Sequence, residues 1–195
     1  MKNLATTLYT LSIAVSLCVT EAAIASETPG ALSGPTHGPV PGNINVPFGI
    51  RKYDIGMAKD FSLNDVDGEK FELNSTRGNW VFLHFWASWC GPCRKEMPEI
   101  QKLARIMQGE KFEIVMINTA ENEDTIFEFL AAINIELNSL MDVDGLVTEV
   151  WKPRGLPTTF LINPQGEVKF QAIGGREWDK PEYIGFIKKL TSTTQ

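Results

Sequence analysis

The chain has 195 residues, 43% hydrophobic and 22% charged, which is enough length and apolar content to bury one core. A formal net charge of -6 argues against nucleic acid as a partner, because a phosphate backbone is gripped by clustered cations. With three cysteines and two histidines, there are too few correctly spaced ligands for a four-ligand structural zinc site, so no metal and no cofactor is expected.

Residues 1–25 read as a secretory signal: Lys2, an uncharged stretch to Glu21 with an apolar centre from Leu8 to Val19, and a small-x-small cleavage site at Ala23-Ile24-Ala25. Six Ser or Thr residues interrupt that stretch, which ranks a retained membrane anchor second. Cys18 follows the bulky Leu17, where a lipid-attachment box wants a small residue, so it leaves with the signal. Lys2 and Glu21 leave together, and the charge stays at -6. Residues 26–50 hold Pro29, Pro35, Pro39, Pro41 and Pro47 among Gly, Ser and Thr, the composition of a flexible tether.

A folded domain is expected over residues 51–195, with recognisable elements beginning near Tyr53. Phe61 to Leu63 and Lys70 to Leu73 flank the turn Asp67-Gly68 and read as a strand pair. The apolar run Val81 to Trp86 reads as a buried parallel strand, and Met97, Ile100, Ala104 and Met107 give the next segment, from about Pro92, a helical period. Lys111 to Asn118 is a further buried strand. Asp124 is placed to cap a helix to Ile133 whose inner face is Ile126, Phe127, Leu130 and Ile133. A helix from Asp144 to Trp151 leads to Gly155-Leu156-Pro157. Thr158 to Asn163 and Glu167 to Ala172 then form a hairpin around Pro164-Gln165-Gly166, and Asp179 with Glu182 reads as a capping pair opening a last helix. Strands alternating with helices predict an α/β fold, a central mixed sheet covered on both faces.

Between that buried strand and its helix stands Trp89-Cys90-Gly91-Pro92-Cys93. Cys90 falls at the helix N-terminus, where unpaired N–H groups and the positive end of the helix dipole stabilise a thiolate, the species that attacks disulfides. Zinc lacks ligands, since Cys18, His37 and His84 are the only other candidates. Haem attachment needs His where Arg94 stands. A merely structural disulfide gains little from closing a two-residue loop. After signal cleavage only Cys90 and Cys93 remain, and a lone adjacent pair in an oxidising compartment fits a working site better than a staple.

The chain resembles the thioredoxin superfamily, and more narrowly the exported TlpA/ResA/CcmG-like thiol-disulfide oxidoreductases. The resemblance covers about residues 55 to 190 and rests on Phe82 to Met97 (FLHFWASWCGPCRKEM), on Pro98, and on Gly155 to Asn163 (GLPTTFLIN). It implies a thioredoxin-like fold with a strand-helix type insert between the active-site helix region and a cis-proline, here Pro157. Glu96, three residues after Cys93, matches an acidic position held to handle protons near the sulfurs; a plain surface glutamate is the alternative.

Cys90 is the expected nucleophile, being the more exposed sulfur, and Cys93 the resolving thiol. His84 departs from the resemblance, since relatives carry Asp or Asn six residues before the first cysteine. It is read as a base for Cys93 or as a buried neutral imidazole with one hydrogen bond. Trp89 borders the sulfurs as a rim contact, and Gly174-Gly175 either allows a close backbone approach near the site or is only a turn.

The Gly91-Pro92 dipeptide offers no group to stabilise a thiolate, which points to a reductase of other exported proteins rather than an oxidase or isomerase. A monomer is expected, and the resemblance implies recharging by a membrane thiol donor, with apocytochrome c as the frequent substrate. A thiol peroxidase lacks its Pro-x-x-x-Thr-x-x-Cys environment here. A non-enzymatic binding module or copper chaperone would keep its function without Cys93, and copper lacks nearby His or Met ligands.

Overall fold

The computed structural model describes residues 44–192. The signal, Cys18, His37 and most of the tether lie outside them. Packing begins earlier than the tether composition suggests, because Ile44 and Val46 already rest against the core between the prolines.

The elements in chain order are β1 (Ile50–Met57), β2 (Ser62–Asn64), β3 (Lys70–Glu72), a 3-10 turn (Leu73–Thr76), β4 (Trp80–Trp86), α1 (Gly91–Ile106), β5 (Phe112–Thr119), α2 (Glu123–Ala132), β6 (Ser139–Asp142), α3 (Leu146–Trp151), β7 (Thr158–Ile162), β8 (Glu167–Ile173) and α4 (Pro181–Ser192). Six strands form one sheet in the order β1-β8-β7-β4-β5-β6, and β2 with β3 forms a separate hairpin. β4 runs parallel to β5 and antiparallel to β7, so the mixed sheet expected from the alternating elements is present. Among the described residues no helix is long and apolar enough to cross a membrane.

Every residue of β4 is buried, and its side chains alternate between two cores. Phe82 and Trp86 face Met97, Ile100 and Leu103 of α1 and Phe186, Ile187 and Leu190 of α4. Val81, Leu83 and Phe85 face Val115, Ile117, Phe160, Ile162 and Trp151. His84, between Phe82 and Trp86, shares their face, which places an imidazole beneath α1.

Several expected details differ. β1 opens at Ile50 and pairs along β8, a long-range pairing that short-range patterning does not signal. Phe127 is 67% exposed, because the buried stripe of α2 passes through Ile126 and Leu130, and a residue one place on lies about 100° around the helix. Asn122, not Asp124, caps α2 by accepting the Thr125 N–H. The last helix begins at Pro181, so Lys180 takes the cap position and accepts the Ile184 N–H, while Asp179 pairs with Lys102 of α1. In α1, Leu103 is fully buried and Ala104 only partly.

Candidate active site

At the C-terminal end of β4 the chain turns through Ala87 to Trp89, with the Cys90 N–H donating to the Ala87 carbonyl at 3.2 Å. Cys90 then caps α1 in an extended conformation, φ -80° and ψ 103°, and Pro92 occupies the first turn, where its missing N–H costs nothing. Cys90 and Cys93 are joined by a disulfide with S–S 2.05 Å and Cα–Cα 5.3 Å. The Cys93 N–H donates to Cys90 Sγ at 3.3 Å, one of the free donors of a helix N-terminus aimed at the sulfur that would carry negative charge after reduction. Cys90 is 4% exposed, Cys93 fully buried and Trp89 70% exposed. No acidic residue stands in the first turn of α1.

Glu96 lies one turn below Cys93 on the same helical face, and it is buried rather than superficial. Its Oε2 accepts the Arg176 backbone N–H at 3.0 Å and the Trp178 indole N–H at 3.1 Å. Its Oε1 sits 3.3 Å from His84 Nε2, within ion-pair distance although out of hydrogen-bond alignment. On the far side of the ring, His84 Nδ1 lies 2.9 Å from Thr159 Oγ1, across the β4–β7 ladder. The two candidates read separately from the sequence thus stand face to face, and both nitrogens of His84 have neighbours other than Cys93.

The Leu156–Pro157 peptide is cis, and Pro157 is buried at the start of β7. Because Thr158 pairs with Phe85, Pro157 lies at the end of the sheet from which β4 delivers the cysteine loop. The turn after β8 ties these parts together. The Gly174 N–H donates to the Pro157 carbonyl at 2.8 Å, Gly175 packs so closely on Pro92 that a Cβ would meet its carbonyl oxygen at 3.2 Å, and Arg176 reaches Glu96. Burial pulls the Arg176 guanidinium down from its ordinary value, while Tyr183 and Glu96 act in the opposite direction. A cavity of about 610 Å³ opens beside this turn, lined by Pro92, Glu96, Arg176 and Tyr183 among others.

Sequence reading missed Arg176, Trp178 and Thr159 as partners, since each lies 75 or more residues from the group it touches. It also missed Glu121, which binds Ser88 in the loop ahead of Cys90.

Over residues 56–171 the chain matches the AhpC/TSA family. It is 36% identical over 111 residues to thiol-disulfide oxidoreductase ResA of Bacillus subtilis (strain 168), a stretch covering 57% of this chain and 62% of that protein. It is 33% identical over 141 residues to ResA of Bacillus thuringiensis (strain Al Hakam), covering 72% and 80%. A crystal structure assigned as the thiol:disulfide interchange protein DsbE of Chlorobium tepidum superposes with a TM-score of 0.64 at 29% identity, covering 73% of this chain and 99% of that one.

Proposed function

The chain belongs to the AhpC/TSA family, among its ResA-like thiol-disulfide oxidoreductases, and on that premise we propose that it is an exported reductase of disulfides in other exported proteins, working through Cys90 and Cys93. The observation that carries the reading is the pair itself, closed across the first turn of a helix whose N–H groups point at Cys90. Residues 83 and 87 are Leu and Ala, so the Pro and Thr of a peroxidatic site are missing. Export rests on the leader pattern of residues 1–25.

The Cys90 thiolate attacks one sulfur of the substrate disulfide, forming a mixed disulfide and expelling the other sulfur as a thiolate. Cys93 then gives up its proton and attacks Cys90 Sγ. The second substrate sulfur leaves, and the Cys90–Cys93 disulfide closes. Two electrons pass to the substrate, which also gains two protons. Glu96, on the face of α1 one turn below Cys93, takes the proton of the resolving thiol, and His84 fixes its carboxylate from beneath. Pro157 borders the extended substrate segment, with Trp89 as an apolar rim contact.

Gly91-Pro92 supplies no cation to hold the Cys90 thiolate, so the reduced form is the less stabilised one and electrons flow outward to substrate. A membrane thiol carrier returns them. The substrate proposed is the oxidised haem-binding cysteine pair of apocytochrome c, on the strength of family resemblance.

Trapping tests the assignment. Cys93→Ser is expected to accumulate mixed disulfides with exported proteins, read by mass spectrometry, and Cys90→Ser to accumulate none. Equal trapping by both variants overturns the order of attack, and an absence of exported proteins among the adducts overturns the substrate class.

A further inference from the structure

Three hydrogen bonds converge on the carboxylate of Glu121, and two of them come from the residue two places ahead of Cys90. Ser88 donates its backbone N–H to Oε2 at 2.7 Å and its hydroxyl to Oε1 at 2.5 Å, while Asn118 donates Nδ2–H to Oε2 at 2.7 Å. Bonds to an ionised acceptor are about twice as strong as neutral ones, and here both oxygens are engaged.

Glu121 is itself held from both sides. Ala120 before it adopts a left-handed conformation, φ 56°, which a residue with a Cβ rarely takes, and its N–H donates to the Asp142 carbonyl at 2.9 Å. Asn122 after it is fixed as the cap of α2. The loop between β5 and α2 therefore presents a carboxylate anchored to two neighbouring elements.

What that carboxylate grips is the turn that carries Trp89. With 70% of its surface exposed, the indole is not held by packing of its own. Ordering a free loop and a large side chain on binding costs affinity, and a turn fixed beforehand avoids that cost.

We propose that Glu121 is a positioning residue that clamps Ser88 and thereby presents Trp89, beside Cys90, to polypeptide substrates. This rests on the reductase reading of the cysteine pair. A small disulfide reaches the sulfur without touching Trp89 and does not need the clamp. In Glu121→Gln an NH₂ donor replaces one acceptor oxygen, so the Ser88 hydroxyl must turn from donor to acceptor and the charge that strengthens the three bonds is lost, which loosens the clamp.

The test is the second-order rate at which the prereduced protein is oxidised by insulin and by hydroxyethyl disulfide. Glu121→Gln is expected to slow the insulin reaction about fivefold to tenfold and to leave the small-disulfide reaction within about twofold. Ser88→Ala, which removes only the hydroxyl bond, should shift selectivity the same way by less. Since Glu121 acts through Trp89, adding Trp89→Ala to Glu121→Gln should cost little beyond Trp89→Ala alone, a non-additive cycle. Equal losses with both oxidants, no change in either, or full additivity with Trp89→Ala each overturn the inference, as does a wild-type protein oxidised by hydroxyethyl disulfide but not by insulin. If the wild-type protein reacts with neither probe, the reductase reading fails instead.

Discussion

At the scale of single residues, Glu96 and His84 form one buried acid-base unit rather than two separate candidates. One oxygen of Glu96 is committed to Arg176 and Trp178, which leaves Oε1 facing His84 Nε2 at 3.3 Å. If this unit removes the Cys93 proton, Glu96→Gln and His84→Asn should each slow resolution of the mixed disulfide and leave the first attack by Cys90 nearly unchanged. General-base help is typically worth about 10²-fold or more, so the loss is expected at that size for Glu96→Gln and less for His84→Asn, which acts through Glu96. Stopped-flow kinetics of the two steps between about pH 5 and 9 separate them. An unaltered resolution rate and pH profile in both variants would falsify the assignment. The cysteine pair was legible from its own spacing, whereas Glu96 and Pro157 were picked out only through the resemblance to exported thioredoxin-like proteins, carried by two short motifs. The partners of Glu96 were not legible, because contacts between residues 96, 176 and 178 exist only once β8 and α1 are brought together by the sheet.

Elements were legible where one periodicity ran unbroken and obscure where a short stretch joined distant chain. β4, α1 and the β7–β8 hairpin stand where their apolar patterns place them. β6 has only four residues, Ser139–Asp142, and joins the sheet through β5 alone, so its sequence carries almost no strand signal. β5 offers a test of how an element tolerates a charge. Glu113 is half-buried near the start of β5, and burial raises its carboxyl above the ordinary range, with a hydrogen bond to Asn79 acting the other way. A carboxyl whose folded value exceeds its unfolded value binds more protons when folded. Ionising it therefore costs stability. That cost is absent below the unfolded value, grows as pH rises through the folded value and is complete above it. Glu113→Gln is expected to raise the urea midpoint at neutral pH, with the gain fading as pH falls through the raised folded value and gone below about pH 4. A gain of the same size at both pH values would place its origin in packing rather than charge.

At the scale of the whole molecule, the direction of electron flow is a property of the fold, because the active-site couple and folding stability are linked in one thermodynamic cycle. A strongly oxidising protein of this kind owes its high potential to a stabilised reduced form, and its fold is then firmer when reduced. On the proposed reductase reading the features at the site oppose that: Gly91-Pro92 brings no cation to Cys90, and the acidic Glu96 is buried one turn below Cys93. Among the described residues it is the helix N-terminus, through the Cys93 N–H, that favours the thiolate. The oxidised protein is therefore expected to unfold at higher urea than the reduced one, and equilibration with glutathione should give a potential nearer thioredoxin than the oxidising Cys-Pro-His-Cys proteins. The two measurements check each other, since about 30 mV of separation between folded and unfolded couples corresponds to roughly 1.4 kcal/mol of stability difference. A reduced form that outlasts the oxidised one, or a potential above about -150 mV, would make the chain a source of disulfides rather than their reductant.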